Sequence, residues 1–123
     1  MVCPLEWHLQ HDRGVPFADT VPVRQAAFPD HAELIGVWGD RYPEMIAGEI
    51  PGTSAIIDEL EAKHIRLLAL TNLPAEVWPG VQDDWPLTTR FEGVVVSGEE
   101  HLAKPDPAIF ALLVERYDLD PSR

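Results

Sequence analysis

A chain of 123 residues, 46% hydrophobic and 24% charged, has the size and balance of one small globular domain, with no sign of disorder along its length. Nine basic residues against 21 acidic ones leave a formal charge of −12. A field of that sign repels phosphate backbones and anionic lipid, which disfavours nucleic-acid and membrane-surface binding while leaving room for a small anion in a locally positive pocket.

The single cysteine, Cys3, allows no internal disulfide. The longest apolar runs are too short to cross a bilayer. No basic segment leads into an apolar core at the N-terminus, so no signal peptide is visible. The expectation is a cytoplasmic protein.

Residues 1–50 are rich in Pro, His, Trp and small side chains, and their helical periodicity is interrupted. The best helix there is predicted over 31–47, where Leu34, Ile35, Trp38, Tyr42 and Met45 recur at three- and four-residue steps as one buried face. Pro43 either kinks that helix or opens a new turn. His8 and His11 stand three apart beside Asp12, a spacing that a metal site can use. No companion ligand lies at a matching spacing, and the group reads as a partly exposed helix face. His31, His64 and His101 are scattered and receive no role.

From Pro51 the pattern alternates between helix and strand. Thr53 or Ser54 can cap a helix running to about Lys63, with Ile56, Ile57 and Leu60 inward. The apolar run 65–70, broken only by Arg66, predicts a strand buried on both faces of a parallel sheet and stopping at Thr71-Asn72. A second strand is predicted over 93–97, centred on Val94, Val95 and Val96. The segment between them has the length of a helical crossover. The clearest element is the last helix, where Asp106 is an N-cap, Pro107 occupies the first helical position, and Phe110, Leu113, Val114 and Tyr117 mark one face, widened by Ile109 and Leu112.

Strand, crossover, parallel strand and helix make a doubly wound α/β unit, whose ligands bind at the carboxyl ends of the strands. Those ends carry Thr71-Asn72 and Ser97-Gly98-Glu99-Glu100. A hydroxyl and backbone N–H groups at a strand end can hold a phosphate or carboxylate, or Thr71 merely ends the strand and Asn72 starts a turn. Lys104 stands beside the rigid Pro105-Asp106-Pro107 helix start, which suits an electrostatic clamp better than a solvated loop lysine.

The order Leu67-Leu68-Ala69-Leu70-Thr71-Asn72, then Ser97-Gly98-Glu99-Glu100, then Ala103-Lys104-Pro105-Asp106-Pro107-Ala108-Ile109-Phe110 resembles the second and third motifs of the haloacid dehalogenase-like hydrolases. Ile50-Pro51-Gly52-Thr53 is similar to the lead-in to the second motif, and residues 1–49 look like part of the helical cap, ahead of a partial core over 50–123. The resemblance implies a Rossmann-like hydrolase, closer to the phosphatase members, working through an aspartyl intermediate with Mg²⁺ on the family's acidic residues. Carried over by position, Thr71 binds phosphoryl oxygens, Lys104 neutralises charge on them, and Asn72 lies in the same substrate-binding loop. The partner implied is a small phosphorylated or otherwise anionic substrate.

The departures are as informative. No apolar strand ending in Asp-x-Asp precedes the cap-like region, and no acidic strand end follows the last helix. Asp118-Leu119-Asp120 follows a helix and resembles a helix-to-strand connection, and Asp83-Asp84 reads as a solvated turn in the crossover. Three readings stay open: an internal piece or trimmed gene model of an active hydrolase, inactive alone; a non-catalytic remnant that binds anions or regulates; or an unrelated small α/β protein. Two strands lacking their central neighbour also predict a poorly stable chain or one that self-associates through the sheet edge.

Overall fold

The structure, a computed structural model, describes residues 1–122. The first half is helical. Helix α1 (Leu5–His11) and helix α2 (Phe17–Ala27) are followed by a 3-10 turn at Pro29–His31, helix α3 (Ala32–Gly36) and a second 3-10 turn at Tyr42–Met45. The second half alternates: helix α4 (Thr53–Ala62), strand β1 (Leu68–Thr71), helix α5 (Trp78–Asp84) between 3-10 turns, strand β2 (Gly93–Val96), the short helix α6 (Ser97–Glu100) and helix α7 (Pro107–Arg116). The two strands pair in parallel, Leu68 opposite Gly93 through Thr71 opposite Val96. The chain is an α/β protein with the crossover topology its sequence predicts.

The helix expected over 31–47 is broken into α3 and the Tyr42–Met45 turn. Pro43 removes a backbone donor there, and the expected buried face divides: Ile35 is fully buried, whereas Leu34 and Met45 are exposed. Two earlier helices hold the larger share of helical residues in this half. α2 tolerates Pro22 in its interior and has no buried residue, so it carries little of the apolar stripe by which a helix is read from sequence.

Neither Thr53 nor Ser54 caps α4. That position falls to Gly52, whose φ of 91° is open to glycine, while Glu49 accepts hydrogen bonds from both the backbone N–H and the hydroxyl of Ser54. Ile57 faces the core and Ile56 faces solvent.

β1 is half-buried along its length, not covered on both faces as its composition predicts. The sheet has two strands among the described residues, so one long side of each strand lacks a strand neighbour and the cover that would come with it. β2 is better protected, with Val95 and Val96 fully buried. Its first residue, Gly93, sits where a Cβ would overlap the ring of Tyr117, so the missing side chain lets the end of α7 close over the strand.

In α7 the Asp106 carboxylate accepts from the Ala108 N–H at 2.9 Å, as the N-cap reading requires. The buried anchor of the helix is Ile109, at 0% exposure; Phe110, expected to lead the face, is 45% exposed. The core joins the two halves: Leu73, Val77, Trp78 and Val96 cluster past the strand ends, and Phe17 of α2 and Tyr42 pack against them.

Candidate functional site

The site lies where β1 and β2 run out. β1 ends on Thr71, and Asn72 opens a loop that is tied twice to the stretch after β2. The hydroxyl of Ser97, fully buried, accepts from the Leu73 N–H at 2.9 Å, and the Gly98 N–H donates to the Leu73 carbonyl at 3.1 Å. Gly98 permits this approach: a Cβ there would stand 2.3 Å from the Ala75 nitrogen.

The second tie involves Asn72 and Lys104. The Asn72 side-chain amide donates to the Lys104 carbonyl at 3.0 Å, and its Oδ1 accepts from the Lys104 N–H at 2.8 Å. The lysine side chain then turns back along β1, where Nζ donates to the Leu70 carbonyl at 2.6 Å. Two of the three predicted site residues are therefore in direct contact. Thr71 is the chain neighbour of Asn72, half-buried, and no described residue hydrogen-bonds its hydroxyl.

Four of the nine lysines and arginines of this acidic chain are spent on carboxylates. Arg41 pairs with Glu44, Arg66 with Glu92, Arg90 with Asp58 and Glu61, and Arg116 with Glu100. The carboxyls of Glu44, Glu61, Glu92 and Glu100 are held below their usual pKa, chiefly by the hydrogen bond from the paired arginine. Lys104 differs. Its ammonium meets a main-chain carbonyl, which satisfies one N–H and leaves the full positive charge available at the strand ends.

The expectation of a partly exposed face holds at His8 and is overturned at His11 and Asp12. His11 is 1% and Asp12 4% exposed, because α1 lies under an aromatic cover that sequence spacing does not display. His11 meets Trp7 edge-on at 4.7 Å and the Phe17 ring at 4.4 Å, and its Nε2 shares a 2.7 Å hydrogen bond with the Thr20 hydroxyl. His8 stacks on Tyr42 and lies 3.8 Å from Asp12, near enough for charge attraction but too far for a hydrogen bond.

Burial first, then the neighbouring His8, lowers the His11 pKa; Glu76 and the His8 carbonyl oppose this. Burial raises that of Asp12 against the pull of His8 and Arg13. No three His, Cys, Asp or Glu side chains converge as a metal site among the described residues.

A cavity of about 330 Å³ opens between the end of α1 and the loop after β2, with His11, Glu76, Glu99 and His101 on its wall. Thr71, Asn72 and Lys104 are not part of that wall. Of the two decoys, Asp83 and Asp84 are the exposed end of α5 and not a loop, and Asp118 sits in a left-handed turn after α7. Ser97 was not singled out from the sequence. Its place directly after three valines was the available signal, since a hydroxyl at the end of a buried strand must find a partner.

Comparison of the chain with protein-family models, curated proteins and solved structures finds no significant match. No helix is long and apolar enough to cross a membrane among the described residues.

Proposed function

We propose that this chain binds a phosphoryl-type anion at the ends of β1 and β2, and that it is the phosphate-holding part of a haloacid dehalogenase-like hydrolase of the phosphatase kind. The observation that carries this reading is Lys104: an ammonium fastened to the strand end through a carbonyl, in a chain whose other charged contacts are mostly closed ion pairs. Next in the chain to Leu70, whose carbonyl holds that ammonium, Thr71 offers a hydroxyl with no hydrogen-bond partner among the described residues. A phosphate oxygen there gains a charge-assisted hydrogen bond from the lysine and a neutral one from the threonine.

Turnover is not part of the reading. In the family the nucleophile is an aspartate at the end of a strand, and neither β1 nor β2 ends in one. Mg²⁺ would need an octahedron of oxygen donors, and among the described residues the acidic side chains are not gathered into one. The chain's own residues bind and orient an anion. They do not attack it.

Titration of the full chain with inorganic phosphate, followed by amide chemical shifts, tests the proposal. Saturable shifts at Thr71, Asn72 and Lys104, abolished in Lys104→Met, are expected. Hydrolysis of a phenyl phosphate ester should stay at background with or without Mg²⁺. Absence of saturable binding would sink the anion site, and Lys104-dependent turnover would sink the non-catalytic half.

The unpaired side of the sheet supports a separate reading, self-association of two copies. Light scattering that finds a monodisperse monomer with a sharp thermal transition counts against it.

A further inference from the structure

We propose that Asn72 is a positioning residue for Lys104 and does not itself touch the anion; the consequence for binding rests on the phosphate reading above, whereas the geometry stands without it. Position in the sequence places Asn72 in the substrate loop, where an amide is easily taken for a ligand contact. Its hydrogen bonds say otherwise. Both ends of the carboxamide are committed to the main chain of Lys104, 32 residues away, through contacts of 3.0 and 2.8 Å.

The pairing is specific to the residue type. The N–H and C=O of Lys104 present one donor and one acceptor, and a carboxamide is the short side chain that answers both. Aspartate lacks the donor, alanine lacks both groups, and serine offers one short hydroxyl that cannot span the two. Downstream, the chain is stiffened by Pro105, by the Asp106 N–H donating to the Ala103 carbonyl at 2.9 Å, and by the Asp106 cap on α7. Lys104 is thus held on one side by a rigid helix start and on the other by Asn72. Its side chain is exposed, and an exposed lysine with a free backbone would spread its ammonium over many rotamers. Fixing the backbone at both peptide groups leaves the four-carbon stem with a defined origin, from which Nζ reaches the Leu70 carbonyl at 2.6 Å.

Two measurements on the full chain test this. The sequence has two lysines, Lys63 and Lys104, so ammonium ¹H–¹⁵N correlations are assigned with Lys104→Met alone. A hydrogen-bonded ammonium exchanges slowly enough to be seen. The Lys104 correlation is expected in the wild type and lost in Asn72→Ala, with Asn72→Ser as a second variant under the same expectation if the first does not fold. Persistence of the signal in a folded Asn72 variant overturns the proposal, whatever phosphate does.

The second measurement is phosphate affinity in a double-mutant cycle. Asn72→Ala should weaken binding roughly tenfold or more through misplacement of the lysine, and Asn72→Ala with Lys104→Met should bind no more weakly than Lys104→Met alone. A further loss in the double variant would mean that Asn72 touches the anion, and would overturn the positioning role. Failure of the wild type to bind phosphate removes the anion site but leaves the ammonium result to decide this one.

Discussion

The two halves of the molecule pair their polar groups under different rules. At the strand ends, polar atoms are paired: Ser97 with Leu73, Asn72 with Lys104, Asp106 with Ala108. Around α1 several are not, although His11 Nε2 meets the Thr20 hydroxyl. Trp7 Nε1, His8 Nδ1, His11 Nδ1, Asp12 Oδ1 and Trp38 Nε1 are all buried without a hydrogen-bond partner in the described structure. What holds that half is the contact of rings, Trp7 with Trp38 at 5.4 Å and His11 with Phe17 at 4.4 Å. Hydrogen bonds fix direction, whereas ring packing fixes proximity and leaves direction looser. The half in which the Lys104 ammonium reaches a strand-end carbonyl is the half whose buried serine is paired. Substitutions in the two halves should therefore differ in sign as well as size.

The largest loss is expected where apolar packing supports the paired half. Ile109 is fully buried in α7, so Ile109→Ala should cost about 2–5 kcal/mol through lost burial and a residual cavity. Phe110→Ala, at a residue 45% exposed, should cost much less. Urea unfolding of the two variants decides it, and a larger loss at Phe110 would mean that α7 is rotated on the sheet. Next comes Ser97→Ala. It leaves the Leu73 N–H without its partner in a fully buried place, at a cost of about 1–3 kcal/mol. An unchanged urea midpoint would show that this network is dispensable, and the contrast between the halves would fall with it.

How far the sequence disclosed this arrangement follows the same division. β1, β2, α4 and α7 were legible because each carries a local signal: a valine or leucine run, an apolar step of three or four, a proline after a capping aspartate. The placement of Thr71, Asn72 and Lys104 at strand ends followed from those elements. The role of Asn72 did not, since its partner is 32 residues away and a single asparagine codes equally for a turn. The burial of His11 and Asp12 was hidden for a related reason. The rings packed on α1 are Phe17 against His11, and Tyr42 and Trp38 against His8, in segments that Pro22 and Pro43 make poorly periodic. Phe110 was preferred to Ile109 because both fit a helical stripe, and only the sheet's position separates them.

The smallest effect should have the opposite sign. Asp12 is 4% exposed and its Oδ1 lacks a hydrogen bond, so its charge is carried into the core at a cost that His8, 3.8 Å away, only partly offsets. Asp12→Asn removes the charge and keeps the shape. It should stabilise the chain at neutral pH by at most about 1 kcal/mol, because the new amide still lacks a full set of partners.

The pH dependence gives the sharper check. Burial raises the Asp12 pKa in the folded state, so the folded protein binds that proton more readily than the unfolded chain does. The contribution of Asp12 to wild-type stability should therefore rise as pH falls through the folded pKa toward the ordinary aspartate value, and the advantage of Asp12→Asn should shrink over that same window. His11 works in the other direction. Its lowered pKa means that stability is lost as pH falls below the ordinary histidine value. Both proteins carry His11, so its contribution largely cancels in the difference between their urea midpoints. A variant less stable than wild type at neutral pH, or a difference that does not change with pH, would mean that the Asp12 carboxylate has the partner it lacks here and that α1 obeys the same rule as the strand ends.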